Sequence, residues 1–479
     1  MAIVDAPRTR PTAIESGGIE AIPATSRHGS PWQLFATWTS PNLEFATIFV
    51  GVIAVAFFGL DFGRAMLALA LGCALGALTQ GILSTWGPRE GLAQLVLSRT
   101  AFGYRGNILP AALNTVMAGL GWFAVNSVSG ALALSSLTGM PTVLALLIIV
   151  VIEVAVAFVG HNFVQVFERY AAYVLGIIFL VATITIFVHA DFGYTPKGGG
   201  WSFGGFTLTA AAAFGYAAGW NPYASDYSRY LPAATRTRII GWAAGLGNFV
   251  SCLVLMAAGA AAATIAGFNP DDPTTSFVAS MPTVIRDFTL VAIAVGAIAA
   301  NALNIYSGAM SFLAAGVKIP FALRRAIVAL GFGIIGFFIA WSALPNAGST
   351  YENFLLVIAY WIAPWLGIVL MDRILRRGTS IAQLLSDRAR YKNPAGIIAF
   401  VIGAALSIWL FSNQTQFHGP LSGVSATSEG RDLTPLVGFL LAGLVYWALF
   451  AAFRPKLGGP LGAPGAEVPV GIDAADDVA

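Results

Sequence analysis

Three carboxylates stand out in this 479-residue chain because they lie where charge is costly. Glu44, Glu153 and Glu168 each sit inside an apolar run long enough to cross a bilayer. An ionisable group at that depth marks a binding site or an ion pathway by default. Glu168 shares a helical face with His161 and Gln165, at spacings i, i+4 and i+7. A carboxylate there could accept two N–H donors from a planar heterocycle or carry a proton. Glu44 follows Ser40-Pro41-Asn42 and faces either a site or only a helix entrance. Glu153 is flanked by Ile152 and Val154, has no partner legible in sequence, and is equally a packing residue held protonated.

Neutral groups add to this set. Trp122 and Asn126 lie one helical turn apart, a large aromatic plane beside an amide, which suits stacking on a flat ring while reading its edge. Ordinary aromatic packing is the competing reading. Asn301, Asn304, Ser307 and Ser311 form a polar stripe, which is either a binding edge or interhelical hydrogen bonding. Asp226 and Arg229, at i, i+3, read as a gate or as an ion pair on a helix end. Cys73 and Cys252 fall in apolar stretches and give neither metal spacing nor a disulfide framework. The four histidines, His28, His161, His189 and His418, are scattered. No nucleophile-and-base or metal cluster emerges, so neither a catalytic residue nor a metal ligand is assigned, and an intramembrane enzyme is disfavoured.

The elements that must hold these groups follow from composition. Only 10% of residues are charged and 57% are apolar, with mean hydropathy +0.77. A soluble protein carries about 25% charged residues. The solvent for most of this chain is therefore lipid. One helical span takes about 20 apolar residues. Twelve spans are expected, over 33–60, 63–86, 107–137, 141–159, 161–188, 205–231, 237–266, 285–315, 322–343, 350–372, 395–413 and 434–452. The expected fold class is thus an all-α polytopic membrane protein. Of the 25 Lys and Arg, twenty fall in the tails and even-numbered loops. Four (Arg64, Lys197, Arg286, Arg431) fall on the other side, and Arg169 lies within a span. The positive-inside rule then places both tails in the cytoplasm. The polar, Pro/Ser-containing start shows no apolar h-region, so no cleavable signal peptide is expected. A net charge of +3 suggests no nucleic-acid partner, and no obligatory protein partner is evident.

Two spans are interrupted. The first carries Ser40-Pro41-Asn42 and Gly51, the sixth Gly215, Gly219 and Asn221-Pro222. Breaks five spans apart point to an inverted repeat with discontinuous helices and a site near the bilayer midplane. The domain plan is a polar cytoplasmic tail (1–32), one transporter domain (33–452) and a disordered cytoplasmic tail (453–479). Within the transporter domain lie a first repeat (33–200), an inverted second repeat (201–372) and two further helices (395–452). Gly72 and Gly76 signal close helix packing.

The string Asn221-Pro222-Tyr223-Ala224-Ser225-Asp226-Tyr227-Ser228-Arg229-Tyr230-Leu231-Pro232 resembles the signature of purine–cytosine permeases, of the nucleobase:cation symporter-1 family. Trp38 to Asn42, Gln94 to Tyr104, Asn304 to Ser307 and Tyr360 to Trp365 agree with it, in family order from about residue 32 to 452. The resemblance implies the inverted-repeat fold of the bacterial leucine transporter, ten core spans plus two. It also implies inward symport of a nucleobase by alternating access in the plasma membrane, without a cofactor. Carried over residue by residue, it implies substrate contacts at Trp122, Asn126, Glu168, Trp220 and the amides Asn301 and Asn304. It adds a small polar residue of the first span, Ser40 or Thr47. Trp122 and Trp220 would then sandwich the ring. Glu44 is not part of the family motif.

The coupling ion is read from acids and hydroxyls. A sodium site in this fold uses first-span carbonyls and eighth-span hydroxyls, and here Ser307 has no adjacent second hydroxyl. Glu168 and Glu44 are the acids able to carry a proton. Protons are the expected ion and sodium the alternative. The same fold also serves hydantoins, allantoin, thiamine and pyrimidine precursors. The Asn221-to-Pro232 string and Glu168 favour the purine–cytosine branch.

Overall fold

Apolar segments in lipid must satisfy their own backbone, so they form helices. A computed structural model describes residues 18–460 apart from 160, 197, 271, 318–323, 382–383, 386–390 and 426–427. Its principal helices are α1 (Pro31–Thr39), α2 (Phe45–Ala56), α3 (Phe62–Ser84), α4 (Phe123–Thr138) and α5 (Thr142–Val159). There follow α6 (His161–His189), α7 (Phe203–Ala218), α8 (Ala224–Ser228), α9 (Thr237–Ala262) and α10 (Thr283–Ala314). The last four are α11 (Arg324–Ala343), α12 (Ala347–Leu375), α13 (Pro394–Phe411) and α14 (Thr434–Phe453).

The first interruption is a single 3-10 turn over Ser40–Asn42, after which Glu44 is extended (φ −153°, ψ 171°) and α2 begins. The two helices meet at a bend of 59°. Side chains supply the donors that the lost helical bonds would have given. Asn42 Nδ2 donates to the Trp38 carbonyl at 2.9 Å, and Thr47 Oγ1 donates to the Asn42 carbonyl at 2.6 Å. In the sixth span, α7 ends at Ala218, a 3-10 turn covers Asn221–Tyr223, and α8 follows. Here Asn248 Nδ2 donates to the Ala217 carbonyl at 2.9 Å. Broken backbone survives at this depth because it is buried and its polar groups are met. Ahead of α4 the chain runs as a π-helix over Thr115–Trp122, a wide turn often found at functional sites.

Small residues let the interrupted helices lie close to their neighbours. A Cβ on Gly51 would fall 1.8 Å from the Met256 carbonyl oxygen, and one on Gly259 1.7 Å from that of Ile48, so α2 and α9 touch backbone to backbone. Gly72 and Gly76 likewise abut Ala210, Ala213 and Ala217 of α7, the close packing that their spacing suggested. On the outside, Leu67, Leu71, Leu75 and Leu78 of α3 form an exposed apolar stripe, as do Ile177, Leu180 and Ile184 of α6. Such faces suit lipid rather than water.

Among the described residues, eight helical stretches are long and apolar enough to cross a membrane, or nine if the bent pair is one span. This is fewer than the expected twelve. Val328–Leu375 takes in two expected spans, Thr142–Val156 is apolar but shorter, and α7 is cut to 16 residues by its break. One expectation about the tails needs correction, the disorder of the C-terminal one at its start, and the N-terminal segment has contacts that composition did not foretell. Residues 18–30 pack against the core: Ile19 is buried, Ile22 N–H donates to the Gly91 carbonyl at 2.9 Å, and Arg27 Nη1 donates to the Pro88 carbonyl at 2.5 Å. The stretch just after α14 is tied down as well. Gly459 and Pro460 pair with Ser380 and Thr379, and the Leu457 carbonyl accepts from Thr379 Oγ1 at 2.9 Å. Polar composition suggested disorder from residue 453, but pairing with Thr379 and Ser380 holds residues 457–460, and main-chain carbonyls likewise give residues 18–30 partners. Residues 1–17 and 461–479 lie outside the described residues.

Candidate binding site

The two interruptions are joined by side chains. Asn42 Oδ1, at the first break, accepts from Trp220 Nε1, at the second, at 2.8 Å. Glu44, fully buried where α2 begins, lies 3.1 Å from the Tyr216 hydroxyl of α7, which can donate to its Oε1. Tyr216 also hydrogen-bonds the Thr47 hydroxyl. Glu44 Oε2 has no hydrogen-bond partner, and neither does the buried Ser40 Oγ. A carboxyl therefore stands between both unwound turns with one oxygen uncommitted.

Aromatic rings wall this region. Trp122 meets Tyr216 and Phe354 edge to face, with centroids 5.2 and 5.1 Å away. A Cβ on Gly219 would lie 3.1 Å from Trp122 Nε1, so the glycine lets the second break approach the indole. Trp220 instead packs on Trp38 and Tyr223, each 6.1 Å away. The two indoles are thus brought to the same break, Gly219–Trp220, but serve separate aromatic clusters.

Beside them lies a buried amide cluster. Asn301 Nδ2 donates to the Phe123 carbonyl at 2.9 Å and to Ser127 Oγ at 3.2 Å. Its Oδ1 accepts from Asn126 Nδ2 and from Asn304 Nδ2, both at 3.1 Å. Ser127 Oγ hydrogen-bonds Glu153 Oε2 at 2.7 Å and the Phe123 carbonyl at 2.8 Å, with one hydrogen of its own between them. Glu153 therefore does have a partner, one that no spacing within its own span could reveal. Asn301, expected to contact substrate, has every hydrogen-bonding valence engaged by the protein.

The pair expected at the end of the sixth span is not a surface feature. Asp226 and Arg229 are both buried. Asp226 Oδ1 accepts from the Gln94 N–H at 2.8 Å and lies beside Ser307. Arg229 donates to the carbonyls of Gly18 and Glu20, at 3.1 and 3.3 Å, and to the Tyr306 hydroxyl at 3.3 Å. Asp226 and Arg229 do interact, as helical spacing suggested, and Gln94, α10 and the packed N-terminal segment supply their further partners. Glu168 lies on α6, and its side chain, with those of His161 and Gln165, falls outside the described residues.

A cavity of about 750 Å³ opens on the face that carries the 139–141 and 344–346 connections. Phe45, Ala46, Gly121, Val128, Tyr351 and Phe354 line it. Trp122 lies directly beyond, against Tyr351 and Phe354. None of the residues that line it belongs to the Gly18–Ser30 segment, which packs on Arg229. Sequence reading missed Tyr216, Asn42, Ser127 and Tyr351. Two of these left a signal: Asn42 ends the Ser40-Pro41-Asn42 break, and Tyr216 stands next to Gly215 and one turn before Trp220 at the second break. Among the described residues no cluster of His, Cys, Asp and Glu could hold a metal ion.

The chain matches the family described as permease for cytosine/purines, uracil, thiamine and allantoin over residues 21–438. It is 31% identical to the purine-cytosine permease fcyB of Emericella nidulans, over 91% of this chain and 88% of that one. It is 28% identical to the putative purine-cytosine permease YxlA of Bacillus subtilis, over 93% and 97%. In fold it is similar to a nucleobase-cation-symport-1 family transporter solved in a closed conformation with bromovinylhydantoin bound. That match has a TM-score of 0.73 and 17% identity, covering 94% of this chain and 98% of that one. A substrate-bound outward-open Na+-coupled sialic acid symporter matches with a TM-score of 0.66 and 13% identity, over 92% and 93%.

Proposed function

The chain belongs to the family of permeases for cytosine/purines, uracil, thiamine and allantoin, and from that membership we propose that it imports a nucleobase, cytosine or a purine, by proton symport. It is a multi-pass membrane transporter and not an enzyme. The membrane is the plasma membrane, with both termini in the cytoplasm, as the sorting of twenty of the 25 basic residues supports. The 750 Å³ cavity then faces outward, and the Arg229 face is the closed cytoplasmic side.

One observation carries the reading: a buried carboxyl, Glu44, with one oxygen on Tyr216 and the other uncommitted, set between two broken helices beside Trp122. The ring lies between Trp122 and Trp220, with Asn126 and Asn304 at its edge and Ser40 and Thr47 at the first break. Glu44 carries the proton, with Glu168 the second candidate acid for proton and substrate. Asp226 and Arg229 hold the cytoplasmic gate shut. Ser307 is the hydroxyl around which a sodium site would be built.

Uptake of labelled cytosine into cells expressing the chain tests this. Saturable, concentrative uptake that a protonophore abolishes and sodium removal does not touch is expected. Uptake that needs sodium and ignores a collapsed pH gradient would overturn the proton. Competition by hydantoin, allantoin or thiamine, but by no nucleobase, would overturn the substrate.

A further inference from the structure

Glu153 has no part in the transport step above. It is fully buried on α5, and its Oε1 has no hydrogen-bond partner. Among the described residues no Lys, Arg or His forms an ion pair with it. From the helices around it, α4 meets it with Ser127, α10 brings Asn301 alongside, and α11 presents Gly333 to Val150 and Val154 of α5. The side chains of His161 and Glu168 on α6 lie outside the described residues. The charged group within electrostatic reach is a second acid, Glu44. The hydroxyl of Ser127 has one hydrogen and three neighbours. It accepts from Asn301 Nδ2 at 3.2 Å, and it stands 2.8 Å from the Phe123 carbonyl and 2.7 Å from Glu153 Oε2. A carbonyl can only accept. With Glu153 ionised, one hydrogen must serve two acceptors, and one of the two contacts is bare oxygen against oxygen. A neutral Glu153 supplies the missing hydrogen. Its Oε2–H donates to Ser127, Ser127 donates to Phe123, and Asn301 donates to both, so that every contact is met.

Resting on the proton reading above, we propose that Glu153 keeps its proton throughout the cycle and acts, through Ser127, as a positioning residue for Trp122. Phe123 directly follows Trp122, where the π-helix over Thr115–Trp122 gives way to α4. The chain from Glu153 through Ser127 to the Phe123 carbonyl therefore fixes the turn that presents the indole. Asn301 ties the same carbonyl to α10. A charge on Glu153 would break that chain. It would also stand uncompensated within reach of Glu44 whenever that acid gives up its proton. Two carboxylates sharing a buried region do not both ionise. Of these two acids Glu44 is thereby the one that changes charge, and Glu153 is a fixed donor.

Glu153→Gln, Glu153→Leu and Ser127→Ala are compared with the wild type, with surface abundance read from a fluorescent tag. Labelled cytosine is followed in counterflow and in accumulation driven by a pH gradient. The glutamine amide still donates to Ser127. That variant is expected to keep KM, the pH profile of uptake and gradient-driven accumulation within about twofold of the wild type. Leucine fills the space without donating, and its KM for cytosine is expected to rise about fivefold, as loss of one hydrogen bond would give. Ser127→Ala is expected to do the same. The double variant Ser127→Ala, Glu153→Leu should be no worse than either single one, because both cut the same chain. A glutamine variant that keeps counterflow but loses gradient-driven accumulation overturns the inference, since Glu153 would then be moving its proton. An unchanged KM in the leucine and Ser127→Ala variants, or effects that simply add, overturns the positioning role. Wild-type uptake that no pH gradient drives takes down the proton reading, and this inference with it. Where the leucine variant does not reach the membrane, Glu153→Gln and Ser127→Ala decide.

Discussion

A count of hydrogens at the first break ties Glu44 to its neighbours. Thr47 and Tyr216 hold one hydroxyl hydrogen each, yet three contacts link them with the Asn42 carbonyl and Glu44. With Thr47 donating to Asn42 and Tyr216 donating to an ionised Glu44, the Thr47–Tyr216 contact has no hydrogen left. A protonated Glu44 supplies the missing one: it donates to Tyr216, which donates to Thr47, which donates to Asn42. The neutral acid therefore completes a chain running from one broken helix to the other. Glu44→Gln mimics that neutral acid, because its amide also donates to Tyr216. It is expected to keep cytosine exchange in counterflow while losing accumulation driven by a pH gradient. Accumulation by the variant that still follows the gradient would remove Glu44 from coupling. At this scale the residues marked in the sequence fall into two groups in the fold, Glu44 and Trp122 around Tyr216, and Asn126 and Asn304 around Asn301. Sequence could not separate ligand from scaffold. The engagement of Asn301 depends on a carbonyl of Phe123, nearly 180 residues away in the chain, which leaves no mark on local spacing.

Among the elements, α2 and α9 bear the tightest constraint. Their carbonyls occupy the places where side chains of Gly51 and Gly259 would stand. Gly259→Val cannot be accommodated by rotating a side chain, since the clash is with backbone. Overpacking of this kind typically costs about 1–3 kcal/mol, and more where backbone must move. The expected outcome is a sharp fall in monodisperse protein on detergent size-exclusion, with Gly267→Val as the control. Gly267 has open space at its Cβ, though its φ of +81° makes some strain unavoidable. Both interruptions were legible, because proline and clustered glycine within an apolar run weaken the helical ladder at an identifiable point. The number of spans was less so. Hydropathy finds apolar length, whereas α7 is short because its break ends it, and α11 and α12 read as one stretch across a 3-10 turn at Leu344–Asn346.

For the whole molecule, the sorted charge carries a mechanical counterpart on the closed face. Arg229, buried within the sixth span's end, is capped by the carbonyls of Gly18 and Glu20 from a segment that composition alone marked as a tail. Hydrogen bonds to a charged donor contribute about 1.5–3 kcal/mol each. Removal of residues 1–28 is expected to lower thermal stability in detergent, as read by a thermal-shift assay. It should also raise thiol labelling of a cysteine placed at Ser228. Unchanged melting and labelling would show that the segment merely rests there. The tail was illegible because its role depends on main-chain oxygens, which every sequence supplies equally. A last consequence concerns the fastening of the two unwound turns through Asn42–Trp220 and Glu44–Tyr216. Two hinges pinned to each other behave as one lever: torque on either helix half is delivered to both, and neither can swing alone. Loosening a pin would then show as play in the stroke, with substrate slipping through uncoupled from its ion, while the grip on the substrate stays firm.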